Sequence, residues 1–150
     1  MNSRTNISLV SDAGLVTGHG THLRPLSLLV IDDDSVHRMV LGKVGEKAGY
    51  VLTTANSIDD AARKLQQQKF DCISLDLSLG GENGAQVLNV IAQTNSQALV
   101  IVISGAAPEV RQETLALAQS LSINVVEAPK PVDLIALRGQ LNALSQSASA

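Results

Sequence analysis

Three acids stand in a row at Asp32, Asp33 and Asp34, directly after the apolar run "LLVI" (28–31). A fourth acid, Asp76, follows a second apolar run, "FDCISL" (70–75). Ser104 closes a third, "ALVIVIS" (98–104). Lys130 follows a fourth, "INVVE" (123–127). Adjacent like charges at the end of a buried segment repel one another, so a positive species is needed to make the cluster favourable. Clustered carboxylates with carbonyl and water oxygens are hard ligands, suited to Mg²⁺ or Mn²⁺. An acid, a divalent cation, a hydroxyl and a lysine together make a site for a transferring phosphoryl group. The cation and the lysine neutralise its oxygens, and a carboxylate can be the nucleophile.

The elements that must position these groups alternate along the chain. "LSLLVI" (26–31) reads as a buried strand. Ser35 reads as the cap of a helix with Val36, Met39, Val40 and Val44 inward, ending near Gly49. "YVLTTA" (50–55) is a second strand. Ser57 with Asp60 resembles a capping box, ahead of Ile58, Ala61, Ala62 and Leu65 at helical spacing. Residues 70–75 form a third strand, 76–84 a loop, and 85–94 a helix with Val87, Leu88 and Ile91 inward. After the strand at 98–104, Pro108 suits a helix N-terminus, with Val110, Leu115, Ala118 and Leu121 continuing it. The fifth strand is 123–127. Asp133 then caps a last helix that buries Leu134, Leu137, Leu141 and Leu144. Strands apolar on both faces, alternating with helices, imply a parallel sheet covered on both sides. Ligands of such sheets bind at the carboxyl ends of the strands, where every one of these polar residues falls. If the first and third strands are neighbours, Asp32, Asp33 and Asp76 converge.

The order of "VIDDD", "LDLSLGGENG", "VISGA" and "APKPVD" over five β/α repeats resembles the receiver domain of bacterial two-component response regulators. The resemblance covers about residues 26–145. It implies a flavodoxin-like α/β fold, (βα)5, with a doubly wound parallel sheet of order 2-1-3-4-5. Asp76 would be the phosphoacceptor. Asp33 would bind Mg²⁺ directly, Asp32 through a water, and the Ser78 carbonyl would be a further ligand beside Asp76. Ser104 would hydrogen-bond the phosphoryl group, and Lys130 would pair with it, and before that with Asp76. Lys130–Pro131 would be a cis peptide. The implied phosphodonor is a sensor histidine kinase or a histidine phosphotransfer protein, and the output is binding to a downstream protein, with no output domain on this chain. A homodimer through the fourth and fifth helical segments is a common family surface.

The chain also departs from the family. Glu127 stands where an aromatic residue is usual, which puts the usual ring-based switch in doubt, because burying its charge would be costly. Gly80 replaces a usual proline in the loop after Asp76. Asp34 reads as a solvated loop acid, and His37 as a surface or partner-contact residue. Cys72 reads as core packing. Two rivals remain. "DDDSV" (32–36) matches the opening of haloacid-dehalogenase-type phosphatases, with Asp32 as nucleophile and Asp34 as acid/base, but Asp76 would then have no task. The other rival is a receiver-like interaction module that is never phosphorylated.

Composition narrows the classes further. The chain has 150 residues and suits one domain. Tyr50 and Phe70 are its only aromatic residues, so the core must be aliphatic and a base-stacking platform is excluded. A net charge of −3 without a basic stretch argues against direct nucleic-acid binding. A single cysteine forbids an intramolecular disulfide, and no apolar run approaches the length of a membrane span. With no continuous apolar stretch of signal-peptide type at the start of the chain, these features fit a cytoplasmic protein. Residues 1–25 read as a flexible extension in which His19 and His22 are tail residues rather than a metal site, and 146–150 read as a fraying tail.

Overall fold

The computed structural model describes residues 24–79, 83–105 and 107–149. The N-terminal segment with His19 and His22, the Gly80 position and Ala106 lie outside the described residues. Ten elements alternate: β1 (Ser27–Ile31), α1 (Ser35–Lys47), β2 (Val51–Ala55), α2 (Ile58–Gln67), β3 (Cys72–Asp76), α3 (Gln86–Thr94), β4 (Leu99–Ser104), α4 (Pro108–Ser120), β5 (Asn124–Pro129) and α5 (Leu134–Ser149). The strands form one sheet in the order β2-β1-β3-β4-β5, and every neighbouring pair is parallel. This is the doubly wound flavodoxin-like order that the resemblance implied.

Side chains alternate across a strand, and that alternation divides the core in two. Leu29, Ile31, Ile73, Leu75, Val100 and Val102 pack against α2, α3 and α4. Leu28, Val30, Cys72, Ile101 and Ile103 pack on the opposite face against Leu41 of α1 and Leu137 and Leu141 of α5. The same parity has a consequence for the site. Asp32 continues the series Leu28, Val30, and Asp76 continues Cys72, Ser74. The β1–β3 register pairs Leu28 with Cys72 and Val30 with Ser74, which carries Asp32 level with Asp76 on the α1/α5 face.

Several local expectations change. Asp34, not Ser35, caps α1: its Oδ1 accepts from Val36 N at 3.0 Å and His37 N at 3.2 Å. The buried face of α1 is Leu41, Gly42 and Gly45, whereas Val36 and Met39 are 63% and 54% exposed. The reason is close approach. A Cβ at Gly42 or Gly45 would come within 3.0 Å of Leu52 Cδ2 or Leu28 Cδ2, so the helix lies on the sheet through its smallest residues. In α4 the buried positions are Thr114 and Ala118, while Val110 faces outward. In α5, Leu137 and Leu141 are buried but Leu134 is exposed. β5 runs on to Pro129, which an edge strand tolerates, so that Lys130 follows it directly. α5 continues to Ser149 and so takes in residues 146–149, which read as a fraying tail in the sequence. Ser57 and Asp133 cap α2 and α5 as expected.

At the opposite end of the sheet, Asp71 ties the chain entry to β3. It accepts from the Ser27 N–H at 2.8 Å and takes a two-point bond from Arg24, at 2.8 and 3.1 Å. The Arg24 hydrogen bond, with help from Ser27, holds its carboxyl below the usual range.

Candidate functional site

The site lies at the carboxyl ends of β1, β3, β4 and β5, in an open cleft of about 680 Å³ lined in part by Asp33, His37, Asp76, Ser78 and Lys130. Asp32 is fully buried. Its N–H donates to Ala55 O of β2 at 3.0 Å, and its carbonyl accepts from the Arg38 guanidinium at 2.8 Å. Its Oδ1 accepts from the Asp34 N–H at 2.9 Å, and His37 Nδ1 lies against its Oδ2. Burial raises the pKa of this carboxyl above the ordinary value, against the pull of the Asp34 N–H and His37.

Asp76 closes β3 and is 3% exposed. Its Oδ1 accepts from both the N–H and the hydroxyl of Ser78, at 2.9 and 2.8 Å. Its Oδ2 accepts from Lys130 Nζ at 3.2 Å, and Lys130 also reaches the Ser78 hydroxyl at 3.3 Å. Burial alone would raise the Asp76 pKa. The Ser78 and Lys130 hydrogen bonds outweigh it and hold the carboxyl below its ordinary value. Two neighbouring carboxyls are thus pushed in opposite directions, Asp32 up by burial and Asp76 down by its hydrogen bonds.

β4 and β5 aim the lysine. The Lys130 N–H donates to Ser104 O at 3.1 Å, and Lys130–Pro131 is cis. Ser104 itself is half-buried at the end of β4. Asp33, expected as the direct cation ligand, is exposed and lines the cleft. Among the described residues, the side chains whose ligand atoms all lie within 4.8 Å of one another are Asp32, His37 and Asp76. His37, read in the sequence as a surface or partner-contact residue, is half-buried and turned toward this group. With Asp34 as the cap, His37 falls in the first turn of α1, close to the acids. Glu127 is not buried. It pairs with Arg111 of α4 at 3.0 Å and remains 42% exposed, so the cost attached to its charge does not arise.

Gly84 sets the loop after Asp76. Its N–H donates to Leu77 O at 2.9 Å, and a Cβ there would stand 2.6 Å from Asp76 O and 2.9 Å from Leu77 Cα. These neighbours are backbone and cannot swing away. Gly84→Ala is therefore expected to destabilise the fold by about 1–3 kcal/mol and to displace the Asp76 backbone. A urea titration reads the first effect. Unchanged stability would show that the loop yields freely.

Comparison with known proteins agrees with this geometry. Residues 28–138 match the family model described as the response regulator receiver domain. The chain is 28% identical over 124 residues to the sensory/regulatory protein RpfC of Xanthomonas campestris pv. campestris, covering 79% of this chain and 17% of that protein's length. A response regulator from Burkholderia pseudomallei, solved with a phosphorylated aspartic acid, a calcium ion and citrate, is 24% identical. That likeness has a TM-score of 0.67 over 81% of this chain and 69% of the other. The receiver domain of a sensor histidine kinase from Pseudomonas aeruginosa, solved with a magnesium ion in its active site cleft, is 19% identical. There the TM-score is 0.68 over 82% and 99% of the two chains. With the sheet order, the acid pair at its carboxyl end and the family match over most of its length, this chain belongs to the response regulator receiver domains of two-component signalling.

Proposed function

We propose that the protein accepts a phosphoryl group on Asp76 and uses the change to alter its binding to a partner protein. The observation that carries this reading is the Asp76 carboxylate itself: nearly buried, held ionised, gripped on one oxygen by Ser78 and on the other by Lys130. A carboxylate oxygen of Asp76 attacks the phosphorus of the donor in line. An O–P bond forms, the bond from phosphorus to the donor atom breaks, and the donor leaves with that electron pair. Lys130 transfers its ammonium contact from the carboxylate to a phosphoryl oxygen, and the Ser104 hydroxyl donates to another. A Mg²⁺ or Mn²⁺ ion held by Asp32, Asp33, Asp76 and the Ser78 carbonyl would neutralise charge on the phosphoryl oxygens. The donor set, two buried carboxylates with a third at the rim, fits such an ion, and the calcium and magnesium ions in the two solved relatives support the assignment.

Val36 on α1 and Leu134 at the start of α5 are exposed apolar residues that line the cleft, and Met39 and Ile135 are exposed on the same two helices, Ile135 at 86%. They support docking of a phosphodonor protein, a histidine kinase or a histidine phosphotransfer protein, over the site. The dehalogenase-type phosphatase is disfavoured because Asp34, its acid/base, is spent on capping α1. Among the described residues no helix is long and apolar enough to cross a membrane.

Intact-protein mass spectrometry after incubation with acetyl phosphate tests the reading. A gain of one phosphoryl group with Mg²⁺, and none in EDTA, is the expected result. No gain from acetyl phosphate or from any histidine-phosphorylated donor would leave the fold as an interaction module. Continuous release of phosphate without labelling would restore the phosphatase.

A further inference from the structure

His37 has no part in the phosphoryl transfer described above, yet its ring faces the site. Asp34 caps α1 through the N–H groups of Val36 and His37 and so fixes the turn from which the ring projects. The ring lines the same cleft as Asp76 and Lys130, and its Nδ1 lies against Asp32 Oδ2. One ligand atom each from Asp32, His37 and Asp76 fall within 4.8 Å of one another. Donors bound to one first-row ion stand about 2.0–2.2 Å from it, so two of them are at most about 4.4 Å apart. The three side chains are already gathered about that span, and an ion would take the place of the direct His37–Asp32 contact, the two donors parting to coordinate it.

The chemistry of the third donor matters. Mg²⁺ favours oxygen ligands and keeps several waters, whereas imidazole nitrogen suits borderline cations such as Co²⁺ and Zn²⁺. We propose that His37 is a metal-selectivity residue, lending an imidazole nitrogen to the Asp32 and Asp76 carboxylates so that the site favours borderline divalent cations over Mg²⁺. This inference rests on the phosphoryl-site reading, which requires a divalent cation at the same carboxylates. Asp33 and the Ser78 carbonyl remain for an all-oxygen ion, so one cleft offers two donor sets, and the imidazole separates them.

Calorimetric titration of the full chain with Mg²⁺, Co²⁺ and Zn²⁺ tests it. The other two histidines, His19 and His22, are first replaced by alanine so that they cannot compete. Cys72 is buried and does not interfere. Within that background, His37→Gln and His37→Ala are compared with the unsubstituted ring, with circular dichroism as the check on folding. The expected result is a fall of about 10- to 100-fold in Co²⁺ and Zn²⁺ affinity, with Mg²⁺ affinity changed by less than about threefold. The Co²⁺ absorption bands should shift as the nitrogen donor is lost. Equal Co²⁺ and Zn²⁺ affinities with and without the ring overturn the proposal. So does a parallel loss for all three ions, which would make His37 a residue that merely orients Asp32. A chain that binds none of the three ions sinks the phosphoryl-site reading itself, while Mg²⁺ binding indifferent to His37 leaves that reading intact.

Discussion

Asp76→Asn is expected to take up no phosphoryl group from acetyl phosphate under conditions where the parent chain gains one. The substitution is nearly isosteric. The amide oxygen still accepts from the Ser78 N–H and hydroxyl, which now bond to Oδ1 at 2.9 and 2.8 Å. What is lost is the negative charge and the lone-pair reactivity of a carboxylate, so the nucleophile disappears while its cradle stays. The effect on stability should be small, within about 2 kcal/mol, because two opposed changes accompany the loss. The Lys130 ion pair at 3.2 Å is forfeited, but the repulsion that Asp76 exerts on buried Asp32 is relieved. Mass spectrometry reads the phosphoryl gain and thermal unfolding reads the fold. A variant that is still labelled would place the acceptor elsewhere, with Asp33 at the cleft rim as the first alternative. A variant that fails to fold would mean that the carboxylate serves the structure before it serves any transfer.

The candidate site stood out because its residue types are improbable where they stand. Acids, a hydroxyl and a lysine ending four apolar strands cannot be core, and in a parallel sheet strand ends share one rim. The strand parity was legible too, since Leu28, Val30 and Asp32 alternate with Leu29 and Ile31. The helix faces were harder. Gly42 and Gly45 carry no hydrophobic weight, yet they mark the side of α1 that touches the sheet, so the periodicity of Val36, Met39 and Val40 pointed the wrong way. In a run of three acids, the cap and the solvated acid look alike. Only the backbone at Asp34 separates them, and with that cap comes the placement of His37. The Arg111–Glu127 pair depends on how α4 sits against β5, which no local pattern in either segment encodes.

Lys130→Ala is expected to separate metal binding from phosphoryl transfer. The ammonium now competes with any cation for Asp76 Oδ2, which it holds at 3.2 Å. Its removal takes a positive charge away from the carboxylates, so Mg²⁺ affinity should stay the same or rise, by Coulomb's law alone. Transfer should suffer. Lys130 is the side chain placed to follow charge from the carboxylate to the incoming phosphoryl oxygens, and the loss of one preorganised donor of this kind lowers rates by about 100- to 1000-fold. The response to phosphorylation should be blunted as well. The Lys130 N–H is bonded to Ser104 O, so the lysine links the acceptor to the end of β4, and an alanine there has no charge to pull on that link. Three readouts separate these effects: Mg²⁺ calorimetry, the initial rate of phosphoryl gain, and the amide NMR shifts that accompany it. A weakened Mg²⁺ affinity would show that the Lys130 side chain shapes the cleft rather than balancing its charge. An undiminished rate with the parent's shifts would remove Lys130 from the transfer and leave its contact with Asp76 a feature of the resting state, because a cation that matters only before phosphorus arrives cannot be differentially bound in the transition state.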